Sequence, residues 1–243
     1  MGIEGNSRIA VVLMAIIIIS SIGLVLLLNT GPQTLEWRYG DDDARREHDV
    51  IKITGIEDTD ISITFVDEPD LVARVTYELH SDNTAPLYID DDTIGVVEIS
   101  GGSGNDRVKT LEIVLGIESA YNILIRGANL TASVTYSNNA NVFNAVITFE
   151  SPDSDIEFIV TEDISFGGEF QAFITASDVE IDVNLPDGLN GVFRYTSPSV
   201  DILSLIGWSS EPGARYETET GSTSFPFLDL SVGADSIRAS LST

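Results

Sequence analysis

From Val50 to its last residue the chain alternates apolar and polar side chains with a period of two, and this limits its fold more than any other feature. Ile61, Ile63 and Phe65 fall on one side of an extended backbone while Ser62 and Thr64 fall on the other; Val75, Tyr77 and Leu79 alternate in the same way with Thr76 and Glu78. Successive side chains of a strand point to opposite faces, so each such segment is a half-buried strand. The rhythm returns at 111–115, 121–125, 130–136, 145–149, 156–160, 170–174, 179–185, 192–195 and 228–232. Turn formers separate these runs: Ser137-Asn138-Asn139, Ser151-Pro152-Asp153, Gly167-Gly168, Asp187-Gly188 and Glu211-Pro212-Gly213. Nothing after residue 50 has helical periodicity, so a mainly β domain is expected over 50–243.

Short strands at spacings of roughly ten residues build sandwiches, barrels or solenoids. Three stretches, ASVTYSNN, VITFESPDSD and VFRYTSPSVD, share an aromatic near the strand end, then Ser or Thr, then a turn. Recurring strand-and-turn units favour a β-solenoid, each rung burying its apolar face against the next, with a β-sandwich as the alternative. Their spacing reads as irregular.

Upstream, residues 9–28 form an uncharged apolar run, IAVVLMAIIIISSIGLVLLL. As a helix it is roughly 30 Å long, the thickness of a bilayer's hydrocarbon core, so a single transmembrane helix is expected there. Asn29-Thr30-Gly31-Pro32 ends it, because Gly takes the left-handed cap and Pro cannot continue the hydrogen-bond ladder. No small-x-small cleavage site follows, which favours an uncleaved signal-anchor. Residues 1–8 are then a short cytoplasmic tail, with Arg8 beside the span. Residues 29–49 are a juxtamembrane linker, including the charged stretch GDDDARREHD, and the β domain is extracytoplasmic. Within the linker, residues 35–39 with Trp37 and Tyr39 read equally as interfacial anchors or as a first strand. The sequon Asn129-Leu130-Thr131 agrees with export.

The runs TLEIVLGIESAYNILIRGANL (110–130), EIDVNLPDG (180–188) and DLSVGADSIRASL (229–241) resemble the putative-adhesin β-solenoid families, including the toast-rack domain of membrane-anchored surface proteins. The resemblance is one of rhythm and covers roughly the last two-thirds of the chain. It implies adhesion, envelope-stress sensing or scaffolding, with no catalytic residues to carry over.

Charge excludes one class of partner. The formal net charge is −27, from 39 acidic and 12 basic residues, and Lys52 and Lys109 are the chain's lysines. Nucleic acid binds through clustered cations, which are missing here. Without cysteine there is no disulfide, thiolate or Cys-based zinc chemistry. His48 and His80 lack partners at metal-ligand spacing and read as surface residues. Neither stands near a Gly-x-Ser-x-Gly turn, and with no nucleophile or phosphate constellation the chain reads as no enzyme and as needing no cofactor. Calcium is the one metal with candidates. Residues 101–109 match one copy of the nonapeptide G-G-x-G-x-D-x-U-x, in which Asp106 supplies a carboxylate, and the triplets Asp90-Asp91-Asp92 and Asp41-Asp42-Asp43 are oxygen-rich. A lone nonapeptide copy reads first as a turn, because such ions are shared between stacked copies. The partners expected are membrane lipid for the helix and a surface protein or glycan for the domain. Trp208 reads as core rather than as an exposed anchor. A type IV pilin-like filament subunit, with Arg8 preceding an apolar helix, and a weak divalent-cation-binding domain are the alternatives.

Overall fold

The computed structural model describes residues 34–40, 48–68, 71–79, 88–90, 96–100, 108–165, 168–218 and 227–243. The apolar run 9–28, His80, Asp41–Asp43, Asp91, Asp92 and Asp106 lie outside them. Among the described residues no helix is long and apolar enough to cross a membrane.

Strands occupy most of what is described. In chain order they are β1 (Thr34–Gly40), β2 (His48–Glu57), β3 (Asp60–Val66), β4 (Leu71–Leu79), β5 (Tyr88–Asp90) and β6 (Val96–Ser100). Then come β7 (Val108–Gly116), β8 (Ala120–Ala128), β9 (Thr131–Tyr136), β10 (Val146–Glu150), β11 (Asp155–Val160) and β12 (Glu169–Asn184). The last are β13 (Asn190–Thr196), β14 (Ser199–Leu205), β15 (Trp208–Glu211), β16 (Arg215–Thr218) and β17 (Phe227–Ser242). Of the two readings of residues 35–39, the strand is the one found: β1 lies antiparallel to β4, with Trp37 opposite Val75.

Most pairings are parallel and join segments far apart in sequence, the arrangement of a solenoid rather than of a sandwich. Each rung is a strand, a sharp corner and a second strand. First strands stack as β6, β2, β8, β10, the first half of β12, the first half of β17 and β13. Second strands stack as β7, β3, β9, β11, the second halves of β12 and β17, and β14. The order is not sequential at either end. The β2–β3 rung sits inside the later β6–β7 rung, and the C-terminal β17 is inserted between β12 and the β13–β14 rung.

Alternation supplies the core because every rung turns the same parity inward. One column runs Val97, Ile51, Ile123, Ile147, Ala172, Leu230 and Phe193; another, on the second sheet, runs Ile113, Ile63, Val134, Phe158, Ile181 and Ala239, all buried. Each Val, Ile, Leu or Phe among them stabilises the fold by roughly 1.5–3 kcal/mol relative to exposure, and the two alanines by less. Residues 170–174 and 179–185, which read as two strands, belong largely to one 16-residue strand, β12. Its inward parity shifts at Ser177 and Asp178, where it rounds the corner.

The corners carry the polar bonds that hold the rungs in register. Ser154 Oγ accepts from the Leu130 backbone N–H at 2.8 Å and lies 2.5 Å from Ser151 Oγ, which donates to the Gly127 carbonyl at 2.9 Å. Both serines are buried. Ser154→Ala would leave a buried N–H without an acceptor, and the expected cost is about 1–3 kcal/mol, read from the urea midpoint. Asn129 and Asp58, at equivalent corners of adjacent rungs, take left-handed conformations with φ of 53° and 52°. Short polar side chains tolerate that region.

Near the end of β9, Tyr136 packs 4.7 Å from both Phe65 and Phe170 and 6.0 Å from Phe158, ring centre to ring centre. Its hydroxyl is fully buried with no hydrogen-bond partner among the described residues, and burial pushes its pKa up. Tyr136→Phe keeps the rings and removes that orphan. The variant should be more stable by about 1 kcal/mol, raising the melting temperature by roughly 2–4 °C.

Candidate contact face

The outward parity of the second sheet forms two in-register rows that cross all seven rungs. The first runs Thr110, Asp60, Thr131, Asp155, Asp178, Ser236 and Ser199. The second, two residues further along each strand, runs Glu112, Ser62, Ser133, Glu157, Glu180, Arg238 and Asp201. Together they line a shallow groove of about 850 Å³. Adjacent strands lie about 4.8 Å apart, so each row presents a side chain at nearly every step of that length.

The groove's chemistry is one-sided. Seven of its residues are carboxylates (Asp60, Glu112, Asp155, Glu157, Asp178, Glu180 and Asp201), six are hydroxyls, and the single cation is Arg238. Two carboxylate pairs stand directly opposite each other across a ladder, Asp155 beside Asp178 and Glu157 beside Glu180. Ser133 Oγ donates to Glu157 Oε2 at 2.7 Å, and Arg238 Nη1 lies 3.7 Å from Glu180 Oε2. Such a surface attracts cations and offers many acceptors and donors to a polyhydroxylated ligand. On the first sheet two arginines are paired with carboxylates: Arg194 with Asp229, and Arg126, whose Nε donates to Glu150 Oε2 at 2.6 Å and holds that carboxyl below its usual range.

The residues singled out as calcium ligands do not assemble into this face. Asp90 lies in β5, opposite Glu98 of β6, at the far end of the first sheet. Asp91, Asp92 and Asp106 fall outside the described residues, as does most of the nonapeptide, of which Val108 and Lys109 open β7. Among the described residues no three His, Asp or Glu side chains converge as metal ligands. Trp208 is buried, its ring against the backbone of Gly191, in keeping with its reading as core. Nothing in the sequence marks the two carboxylate rows. Asp155, Asp178 and Asp60 are far apart along the chain, and only the parallel register aligns them.

A crystal structure of a "putative cell adhesion protein" from Clostridium sporogenes superposes with a TM-score of 0.60 at 10% identity, covering 87% of this chain and 99% of that one. The two chains share a fold. A "putative adhesin" and a "putative lipid binding protein," both from Parabacteroides distasonis, align over 87% of this chain at 8% and 11% identity. With TM-scores of 0.29 these two superpose too loosely to bear on the fold. No protein-family model and no curated protein matches the chain.

Proposed function

We propose that the chain is a single-pass membrane-anchored surface protein whose β-solenoid stands outside the cell as a non-enzymatic adhesion or envelope-scaffold module. In this reading the acidic face of the second sheet is its contact surface. The observation that carries it is the pair of rows crossing seven rungs, made of carboxylates and hydroxyls at every place but that of Arg238. A rigid backbone ladder holds these groups at fixed spacing, so a repetitive cationic or polyhydroxylated surface is met at many points without ordering loops. The fold shared with a protein described as a "putative cell adhesion protein" supports the same role, and the apolar run 9–28 supplies the anchor.

The test replaces Asp155, Glu157, Asp178 and Glu180 by Asn, Gln, Asn and Gln. All four are exposed, so folding should survive. Binding of the full chain, held in detergent micelles, to cell-wall material washed free of membrane should fall at least tenfold, and wild-type retention there should weaken steeply with added salt. Unchanged retention would remove this face from the contact.

A further inference from the structure

The two sheets have four ends, and among the described residues three are covered by antiparallel strands: β7 by β4, β6 by β5, and β13 by β16. The fourth end is β14, whose described ladder is the parallel one to β17. Its apolar side chains remain in water: Leu203 is 55% exposed, Leu205 39% and Ile206 60%. Three of the five large apolar side chains that the described structure leaves exposed thus fall within four residues. Val200 and Ile202, which end two interior columns, are only partly buried. Solenoids normally close such ends with a polar cap, and an open strand edge is a template for pairing.

We propose that β14 receives an added strand from a partner polypeptide whose side chains alternate apolar and basic. Inward positions of that strand extend the columns ending at Val200 and Ile202 and therefore take apolar side chains. Its outward positions extend the second row, which ends Glu157, Glu180, Arg238, Asp201. In that row Arg238 stands in register between Glu180 and Asp201, with its guanidinium 3.7 Å from Glu180 Oε2, and the next place lies beside Asp201 at the mouth of the acidic groove. A lysine or arginine there is attracted, and an acidic residue is repelled. A second copy of this chain fits poorly, since the one charge on its β14 is again Asp201 and it brings a further net charge of −27. The proposal concerns the end of the solenoid and stands independently of the contact face above.

The probe is a fluorescent peptide, Val-Lys-Val-Lys-Val-Lys-Val, titrated against the full chain in detergent micelles, beside the same peptide with Glu for Lys. The comparison variant is Leu203→Lys with Ile206→Lys, lysine being a usual means of blocking edge pairing. Its melting temperature serves as the control for folding. The Lys peptide should bind wild type at least tenfold more tightly than the variant, and the Glu peptide should not bind measurably. Equal binding to wild type and variant would assign the affinity to the groove and overturn the proposal, as would no binding at all. So would a wild-type dimer that the variant converts to monomer, since the edge would then belong to a second copy. The Asp155, Glu157, Asp178 and Glu180 neutralisation, tested with the same peptide, separates failure here from failure of the contact-face reading.

Discussion

Gly116→Val is expected to destabilise the protein by roughly 3 kcal/mol or more. Gly116 closes β7 between β3 and the start of β4, and a Cβ built there would overlap the carbonyl oxygen of Leu71. The obstacle is backbone, so no rotamer relieves it. Relief requires Leu71 to move, which breaks the antiparallel cover that β4 places over the first rung. Urea denaturation should show a lower midpoint, with loss of the β4–β7 register visible as faster amide exchange at Val75 and Ile113. Gly233→Ala is the control: a Cβ there meets nothing within 4 Å. It should change stability by less than about 0.5 kcal/mol.

The second large effect is expected from salt. A chain with a net charge of −27 resists compaction by self-repulsion, and the Asp155–Asp178 and Glu157–Glu180 neighbours concentrate that repulsion in the folded state. At about 4.8 Å and a water-like dielectric each such pair costs on the order of 1 kcal/mol. The Debye length falls from about 30 Å at 0.01 M to about 3 Å at 1 M, so salt should relieve these pairs together with the longer-range repulsion. The melting temperature should rise by roughly 6–12 °C across that range, equivalent to about 3 kcal/mol for a domain of this size. The Asn and Gln neutralisation of these four residues should recover part of the rise at low salt. A flat salt response would mean that the carboxylates are not held together as described.

How far the sequence reveals this fold depends on which level is read. Period-two alternation located the strands because the inward parity of every rung is apolar; Ile61, Ile63 and Phe65 are all buried, with Ser62 and Thr64 outside. The turn formers were equally legible, since Gly188 and Gly213 adopt φ of 83° and 89°, open to glycine at no steric cost. The repeat was not. Corner and face bonds such as Leu130 to Ser154, Asn122 to Val146 and Ser133 to Glu157 all span 24 residues, a regular period over the central rungs. It is hidden because a rung needs only an apolar parity and a tight corner, which different residues satisfy. The exchange of rung order at both ends hides it further, as β17 pairs with β12 across 58 residues, Phe227 against Glu169. The acidic face depends on that register and was illegible for the same reason. Asp90, Asp91 and Asp92 stand out in sequence because they are adjacent, and Asp106 because it fits a local nonapeptide pattern, whereas the carboxylates that line the groove come together only across rungs.

Burial of Trp208 was legible from its apolar context, but its partner was not. Its ring occupies the space above Gly191 that a Cβ would fill, and Thr218 Oγ1 accepts from the Gly191 N–H at 3.1 Å. The β15–β16 hairpin is thereby fixed over β13, leaving β14 as the open end.

The most direct test of a surface-displayed solenoid is protease digestion of intact cells making the full chain with a C-terminal tag on Thr243, with lysed cells alongside. A domain displayed outside the cell loses the tag without lysis, followed by slow trimming of the compact β domain. A tag protected until lysis would place the acidic domain in the cytoplasm and contradict the proposed role.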